Sequence, residues 1–144
     1  MREGISARMG KLGLGTAQLG MDYGISNTQG QPSENEASRI LRRADRSGID
    51  LLDTAAHYGA SEEVIGKHLS GNTRFRIVTK TPVFSSEGQG QQEGSALQNA
   101  FERSRIRLGQ NRIYGLLAHQ AGNLLEPGGE RLYAQMRQLQ DQGL

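Results

Sequence analysis

Four polar side chains follow short apolar segments of this chain, each at or just beyond the point where a strand would end. They are a carboxylate, a phenol, an amine and an imidazole: Asp53, Tyr58, Lys80 and His119. Parallel α/β proteins place their chemistry at the carboxyl ends of their strands, so we expect these groups to share one face. Such a set could donate a proton to a bound substrate.

Lys80 is expected to connect the other groups, because neighbouring parallel strands lie roughly 5 Å apart. Its ammonium can then reach both Asp53 and Tyr58. An ammonium beside a phenol favours the phenolate and makes the phenol a better acid, while Asp53 keeps the lysine charged and oriented. His119, one strand further, can hydrogen-bond a substrate oxygen. This set could protonate a carbonyl oxygen that gains negative charge, a reaction that needs a hydride donor such as a nicotinamide cofactor.

The segments that position these groups alternate between strand-like and helical patterns. Strands are predicted at Lys11–Gly15, Ile49–Asp53, Phe75–Lys80 and Ile113–Ala118. Four helices follow them, with apolar residues at helical spacing. The first begins at a capping box of Ser33 and Glu36 and ends at Gly48. The second begins at Ser61, whose oxygen suits a helix N-terminus, as do the charges of the two glutamates that follow. The other two carry Leu97–Leu108 and Leu132–Leu139.

This order of four βα units predicts parallel strands with the helices on one outer face. A complete (β/α)₈ barrel needs about 250 residues. The 144 residues of the chain are therefore interpreted as one domain, 1–144, that forms the first four units of such a barrel. A small open doubly wound sheet is the alternative, although no GxGxxG follows the first strand. Three long loops, 20–32, 85–94 and 120–129, follow strands and are predicted to rim the site.

Composition narrows the class of protein. The chain has no cysteine, which excludes disulfides and thiolate metal sites, and its 20 glycines and 35% apolar residues are typical of a folded domain. No apolar run approaches the ~18 residues of a membrane span, and the N-terminus lacks an apolar signal core. We therefore predict a cytoplasmic protein. The net charge of +2 and two arginine clusters, 39–46 and 103–107, are interpreted as solvated helix faces rather than a nucleic-acid surface.

The segment Asp53–Gly59 (DTAAHYG) resembles the D-T-A-x-x-Y-G signature of the aldo-keto reductase superfamily. Leu12–Ala17 (LGLGTA) resembles the first barrel strand of that family. Val78–Thr81 (VTKT) and Leu116–His119 (LLAH) resemble the strands that carry its catalytic lysine and histidine. These segments occur in the family's order and extend over nearly the whole chain. Residues 23–33 resemble bacterial members that are often associated with polysaccharide or sugar-nucleotide gene clusters.

The resemblance implies reduction of aldehydes or ketones with NADPH, or NADH, and without a metal. It implies that Tyr58 is the general acid, that Lys80 makes it more acidic while paired with Asp53, and that His119 orients the carbonyl. It also implies a cofactor site, with a nicotinamide close to the first strand, formed by Gly15, Thr16, Ala17 and Asp53. The two remaining histidines, His57 and His68, are predicted to be surface or packing residues.

The resemblance covers the first four of eight units, as in a truncated bacterial member. In the family, later units supply most of the cofactor site and the substrate loop, so we expect this chain alone to be incomplete for cofactor binding. The first and fourth strands would be open edges. They predict self-association, pairing with a complementary half barrel, or a loose monomer. The alternative function is that of an inactive fragment or a partner-binding, regulatory family member, as the potassium-channel β subunits are.

Overall fold

The computed structural model describes residues 12–69, 74–84 and 93–144. The predicted strand residue Lys11 and most of the predicted loop 85–94 lie outside these residues. The elements follow in the order β1 (Gly13–Gly15), α1 (Ala17–Gly20), α2 (Glu34–Arg46), β2 (Leu51–Asp53), α3 (Ser61–His68), β3 (Arg76–Lys80), α4 (Glu93–Leu108), β4 (Gly115–Leu117), a 3₁₀ helix (Ala121–Leu124) and α5 (Gly129–Asp141).

The four strands form one parallel sheet in the order β1-β2-β3-β4. Gly15 lies opposite Asp53, Asp53 opposite Val78, and Val78 opposite Gly115. A doubly wound sheet reverses its strand order at a switch point, so this sequential order excludes that alternative. The predicted series of four parallel βα units is confirmed, although each strand is shorter than its predicted segment.

The core lies between the sheet and the helices. Side chains alternate along a strand, so Leu52 and Ile77 face the helices while their neighbours face the opposite side. Leu52 is 0% and Ile77 is 2% exposed, and burial of one such side chain contributes about 1.5–3 kcal/mol. The helices contribute most of the remaining core residues: Leu19, Ala37, Leu41, Ala44, Ile65, Leu97, Phe101, Leu108, Leu132 and Leu139.

Helix α2 begins and ends where the sequence predicts. The Ser33 hydroxyl accepts a hydrogen bond from the Glu36 N–H at 3.3 Å, which satisfies one of the unpaired amides of the first turn. Ala37, Leu41 and Ala44 form its buried face.

The segment that joins α1 to α2 is held by the side chain of Asn27. Its Nδ2 donates to the backbone oxygens of Tyr23 at 3.2 Å and Gly30 at 3.1 Å. Its Oδ1 accepts from the backbone N–H groups of Gln29 and Gly30. The predicted loop is therefore an ordered turn after β1, and it places Tyr23 beside the site described below.

The side of the sheet opposite the helices is open in the described part of the chain. Leu117 faces this side and is 50% exposed. Among the described residues, β1 and β4 each have one strand neighbour and one free edge. No described helix is long and apolar enough to cross a membrane.

Candidate active site

Lys80 and Asp53 form an ion pair at the carboxyl ends of β3 and β2. Lys80 Nζ donates to Asp53 Oδ1 at 2.7 Å and to the backbone oxygen of Thr54 at 2.9 Å. The Lys80 side chain is only 14% exposed. Nζ also lies 4.9 Å from the centroid of the Tyr58 ring, within the range of a cation–π contact. The structure therefore brings the predicted ammonium, carboxylate and phenol together.

Tyr58 is positioned by a tight turn between β2 and α3. The backbone N–H of Tyr58 donates to the backbone oxygen of Ala55 at 3.0 Å. The backbone oxygen of Tyr58 accepts from the Ser61 N–H at 3.0 Å. Gly20 packs against this turn so closely that a Cβ there would lie 1.9 Å from the Tyr58 oxygen. Gly59 has a φ of +54°, and a Cβ on it would lie 2.3 Å from the Gly20 oxygen. Both glycines are therefore required for the position of Tyr58.

His119 lies beside Tyr58 after β4. The two ring centroids are 6.1 Å apart, with the planes at 68°. The His119 N–H donates to Thr81 Oγ1 at 3.1 Å, which connects the ends of β3 and β4. Burial lowers the pKa of His119, and the nearby His57 and Lys80 lower it further. The imidazole is therefore neutral at pH 7, with one ring nitrogen able to donate a hydrogen bond and the other to accept one.

Three buried hydroxyls support the site from below. Thr16 Oγ1 donates to the backbone oxygen of Asp53 at 2.8 Å. Ser61 Oγ lies 2.9 Å from both oxygens of Thr16 and 3.0 Å from Thr54 Oγ1. All three residues are 0% exposed. This network connects the ends of β1 and β2 to the first turn of α3.

The network corrects one prediction. Helix α3 begins at Ser61 as predicted, but the helix has no side-chain cap and the residue in the cap position is Ala60. The Ser61 hydroxyl points instead to Thr16 and Thr54, because buried hydroxyls are paired with polar groups of the protein. Sequence reasoning missed this role, although Thr16 and Thr54 stand in two of the segments that carry the family resemblance.

Glu62 lies in the first turn of α3, as predicted, but it is also buried and bonded to other elements. It is 1% exposed, and its Oε1 accepts from Thr79 Oγ1 at 2.8 Å. Its Oε2 lies 3.5 Å from the Arg107 guanidinium, so α3 is joined to β3 and α4. Glu62 and Thr79 are 17 residues apart in the chain, so no local sequence pattern predicts their contact.

The predicted cofactor residues differ in what they offer. Gly15 lies level with Asp53 in the sheet, and a Cβ on it would meet nothing within 4 Å. Gly15 is exposed, so the sheet surface is open at this position. The hydroxyl of Thr16 already donates a hydrogen bond to the backbone oxygen of Asp53. Ala17 is half-buried as the first residue of α1. Of the four predicted cofactor residues, Gly15 and Asp53 therefore present an open backbone position and a carboxylate on neighbouring strands.

Comparison with known proteins gives the family of the chain. The sequence model of the Aldo/keto reductase family matches residues 11–144. The chain belongs to this family. A Pseudomonas aeruginosa protein assigned to the aldo-keto reductases is 33% identical, with a TM-score of 0.71, and the match covers 90% of this chain and 52% of that one. The fold prediction is thereby confirmed as four βα units, half of an aldo-keto reductase barrel.

Two further solved structures are similar over less of their length. An aldo-keto reductase from Klebsiella pneumoniae in complex with NADPH is 26% identical, with a TM-score of 0.59, over 89% of this chain and 43% of that one. The holo form of an aldo-keto reductase from Bacillus halodurans is 28% identical, with a TM-score of 0.53, over 71% of this chain and 33% of that one. The chain thus spans about half the length, or less, of the aldo-keto reductases that it matches.

Proposed function

We propose that this chain supplies the proton-transfer half of an NAD(P)H-dependent aldo-keto reductase that reduces aldehydes or ketones to alcohols. The observation that carries the proposal is the position of Lys80, which is hydrogen-bonded to Asp53 and lies over the ring of Tyr58. A half-buried ammonium in this place can stabilise negative charge that develops on a neighbouring oxygen.

In this proposal each side chain has one role. Tyr58 donates its hydroxyl proton to the carbonyl oxygen of the substrate. Lys80 stabilises the phenolate that remains, and Asp53 holds Lys80 in place. His119, neutral at pH 7, donates a hydrogen bond that orients the carbonyl.

A nicotinamide cofactor would supply the hydride that the carbonyl carbon receives. The open space beside Gly15, level with Asp53, would accept the nicotinamide ring. The NADPH complex of the Klebsiella pneumoniae relative supports NADPH as the cofactor. A cytoplasmic location stays a prediction from the sequence.

The test uses the chain alone and a chimera. We expect the chain alone to bind NADPH weakly, as measured by quenching of cofactor fluorescence. The chimera joins the chain to the remaining half of the Pseudomonas aeruginosa relative, cut where the match to this chain ends. It should bind NADPH and consume it when a panel of aldehydes and ketones is added.

Two results would contradict the proposal. A folded chimera that binds NADPH but reduces no carbonyl compound would favour an inactive or regulatory family member. Tight NADPH binding by the chain alone would show that its cofactor site is already complete. The matched control is the same chimera with Lys80→Met, which should keep its fold but lose the reaction.

We also propose that the open edges of the sheet pair with four further βα units, either a complementary half barrel or a second copy. A groove of about 530 Å³ beside β1 is lined by Leu14, Ile40 and Ile49, with four arginines also on its walls: Arg39, Arg42, Arg43 and Arg46. Another of about 320 Å³ beside β4 is lined by residues that include Leu116 and Met136. Each could receive a strand and helix of a partner.

Light scattering of the purified chain measures this association. We expect a mass above that of one chain, or a polydisperse sample, at micromolar concentration. A monodisperse monomer with a cooperative melt would contradict the proposal, because its exposed strand edges would then need no partner.

A further inference from the structure

His57 occupies the position directly before Tyr58 and lies against His119. The ring centroids of the two histidines are 5.7 Å apart, with the planes at 74°, so one ring presents its edge to the other. The His119 ring also lies 6.1 Å from the Tyr58 ring, centroid to centroid. Three rings from two segments therefore converge at one side of the site. Sequence reasoning predicted only a surface or packing role for His57.

We propose that His57 is a positioning residue that acts through His119, holding its imidazole in place and in the neutral form. This inference rests on the proposed function, in which His119 orients a carbonyl group. A neutral imidazole donates one hydrogen bond to that oxygen and leaves the proton transfer to Tyr58. A charged His119 would compete with Tyr58 as the acid.

The charges around His119 support this role. Three ionisable side chains lie close to it: His57 and Tyr58 from the turn after β2, and Lys80 from β3. The pKa of His119 is lowered first by burial, then by His57 and then by Lys80. The charge of Lys80 is compensated by Asp53 at 2.7 Å. His57 is exposed and has no such counter-ion among the described ion pairs.

The surroundings of His119 disfavour a second proton on its ring. Its backbone is fixed to Thr81, and its Nδ1 is buried without a hydrogen-bond partner in the part of the chain that the structure describes. A second proton on the ring would therefore be poorly solvated at Nδ1, and a charge on the adjacent His57 lowers the pKa of His119 further. His57 thus limits the protonation of His119 from the side that is open to water.

The test is an NMR titration of the imidazole rings in the purified chain, without cofactor or substrate. The chain has three histidines, so single substitutions assign each signal. His57→Phe keeps an aromatic ring against His119 but removes the charge, and we expect the titration midpoint of His119 to move upward. His68→Asn is the matched control on α3 and should leave that midpoint unchanged.

An unchanged midpoint of His119 in His57→Phe would overturn the proposal. Circular dichroism checks that the variant is folded. If it is not, His57→Asn removes the same charge with a smaller side chain, and the same upward movement is expected. Because no turnover is measured, this result is independent of the chimera: a failed reduction would refute the proposed function without changing the titration.

Discussion

Replacement of Tyr58 by phenylalanine should reduce carbonyl turnover in the chimera by roughly 10²–10⁴-fold, the usual contribution of a positioned general acid. NADPH binding should be unchanged, because only the hydroxyl is removed. The phenylalanine ring keeps the place of the tyrosine between Lys80, His119 and Tyr23. The measurement is kcat with several aldehydes, together with the Kd for NADPH from fluorescence quenching.

The control for this variant is Tyr23→Phe. Tyr23 lies 6.5 Å from Tyr58, ring centroid to ring centroid, and loses the same hydroxyl group. It has no predicted part in proton transfer, so its loss of turnover should be far smaller. Equal turnover in Tyr58→Phe and the unchanged chimera would show that another group is the acid.

Gly20→Ala should strongly destabilise this chain by adding a single methyl group. The new Cβ would lie 1.9 Å from the Tyr58 oxygen and 2.2 Å from the Ser61 nitrogen, and both are backbone atoms that cannot rotate away. We expect the free energy of unfolding to fall by about 3 kcal/mol or more, at the upper end of the cost of overpacking. Urea denaturation followed by circular dichroism gives this quantity.

Gly122→Ala is the matched control for the crowded glycine. Gly122 lies in the 3₁₀ helix after β4, and a Cβ there would meet nothing within 4 Å. Its effect should stay within about 0.5 kcal/mol, as for most surface substitutions. If Gly20→Ala were as stable as Gly122→Ala, the turn that positions Tyr58 would be more adaptable than its backbone contacts indicate.

Local patterns in the sequence were enough to predict the four strands, the four longer helices and the residue types at the site, but not α1 or the 3₁₀ helix. The period of α2, its Ser33 cap and its end before Gly48 are encoded within a few consecutive residues. The same holds for the order of four βα units, because each unit is a short apolar run followed by an amphipathic one. Asp53, Tyr58, Lys80 and His119 could be found because each follows such a run.

The contacts that hold these residues in place could not be predicted in this way. Ser61 bonds to Thr16 across 45 positions of the chain, and Glu62 meets Arg107 across another 45. Helix-cap rules predicted both Ser61 and Glu62 as features of a helix start, and burial in the sheet–helix interface gave them other partners.

The sequence by itself determined the family, the four βα units and the four side chains of the candidate site. Tertiary structure alone decided the buried hydroxyl network, the close approach of Gly20 to the turn of Tyr58, and the pairing of His57 with His119. The physical reason is the separation along the chain of the residues that interact. Helix and strand patterns arise from neighbours in the chain, whereas these contacts depend on how parallel strands are aligned and which backbone segments touch.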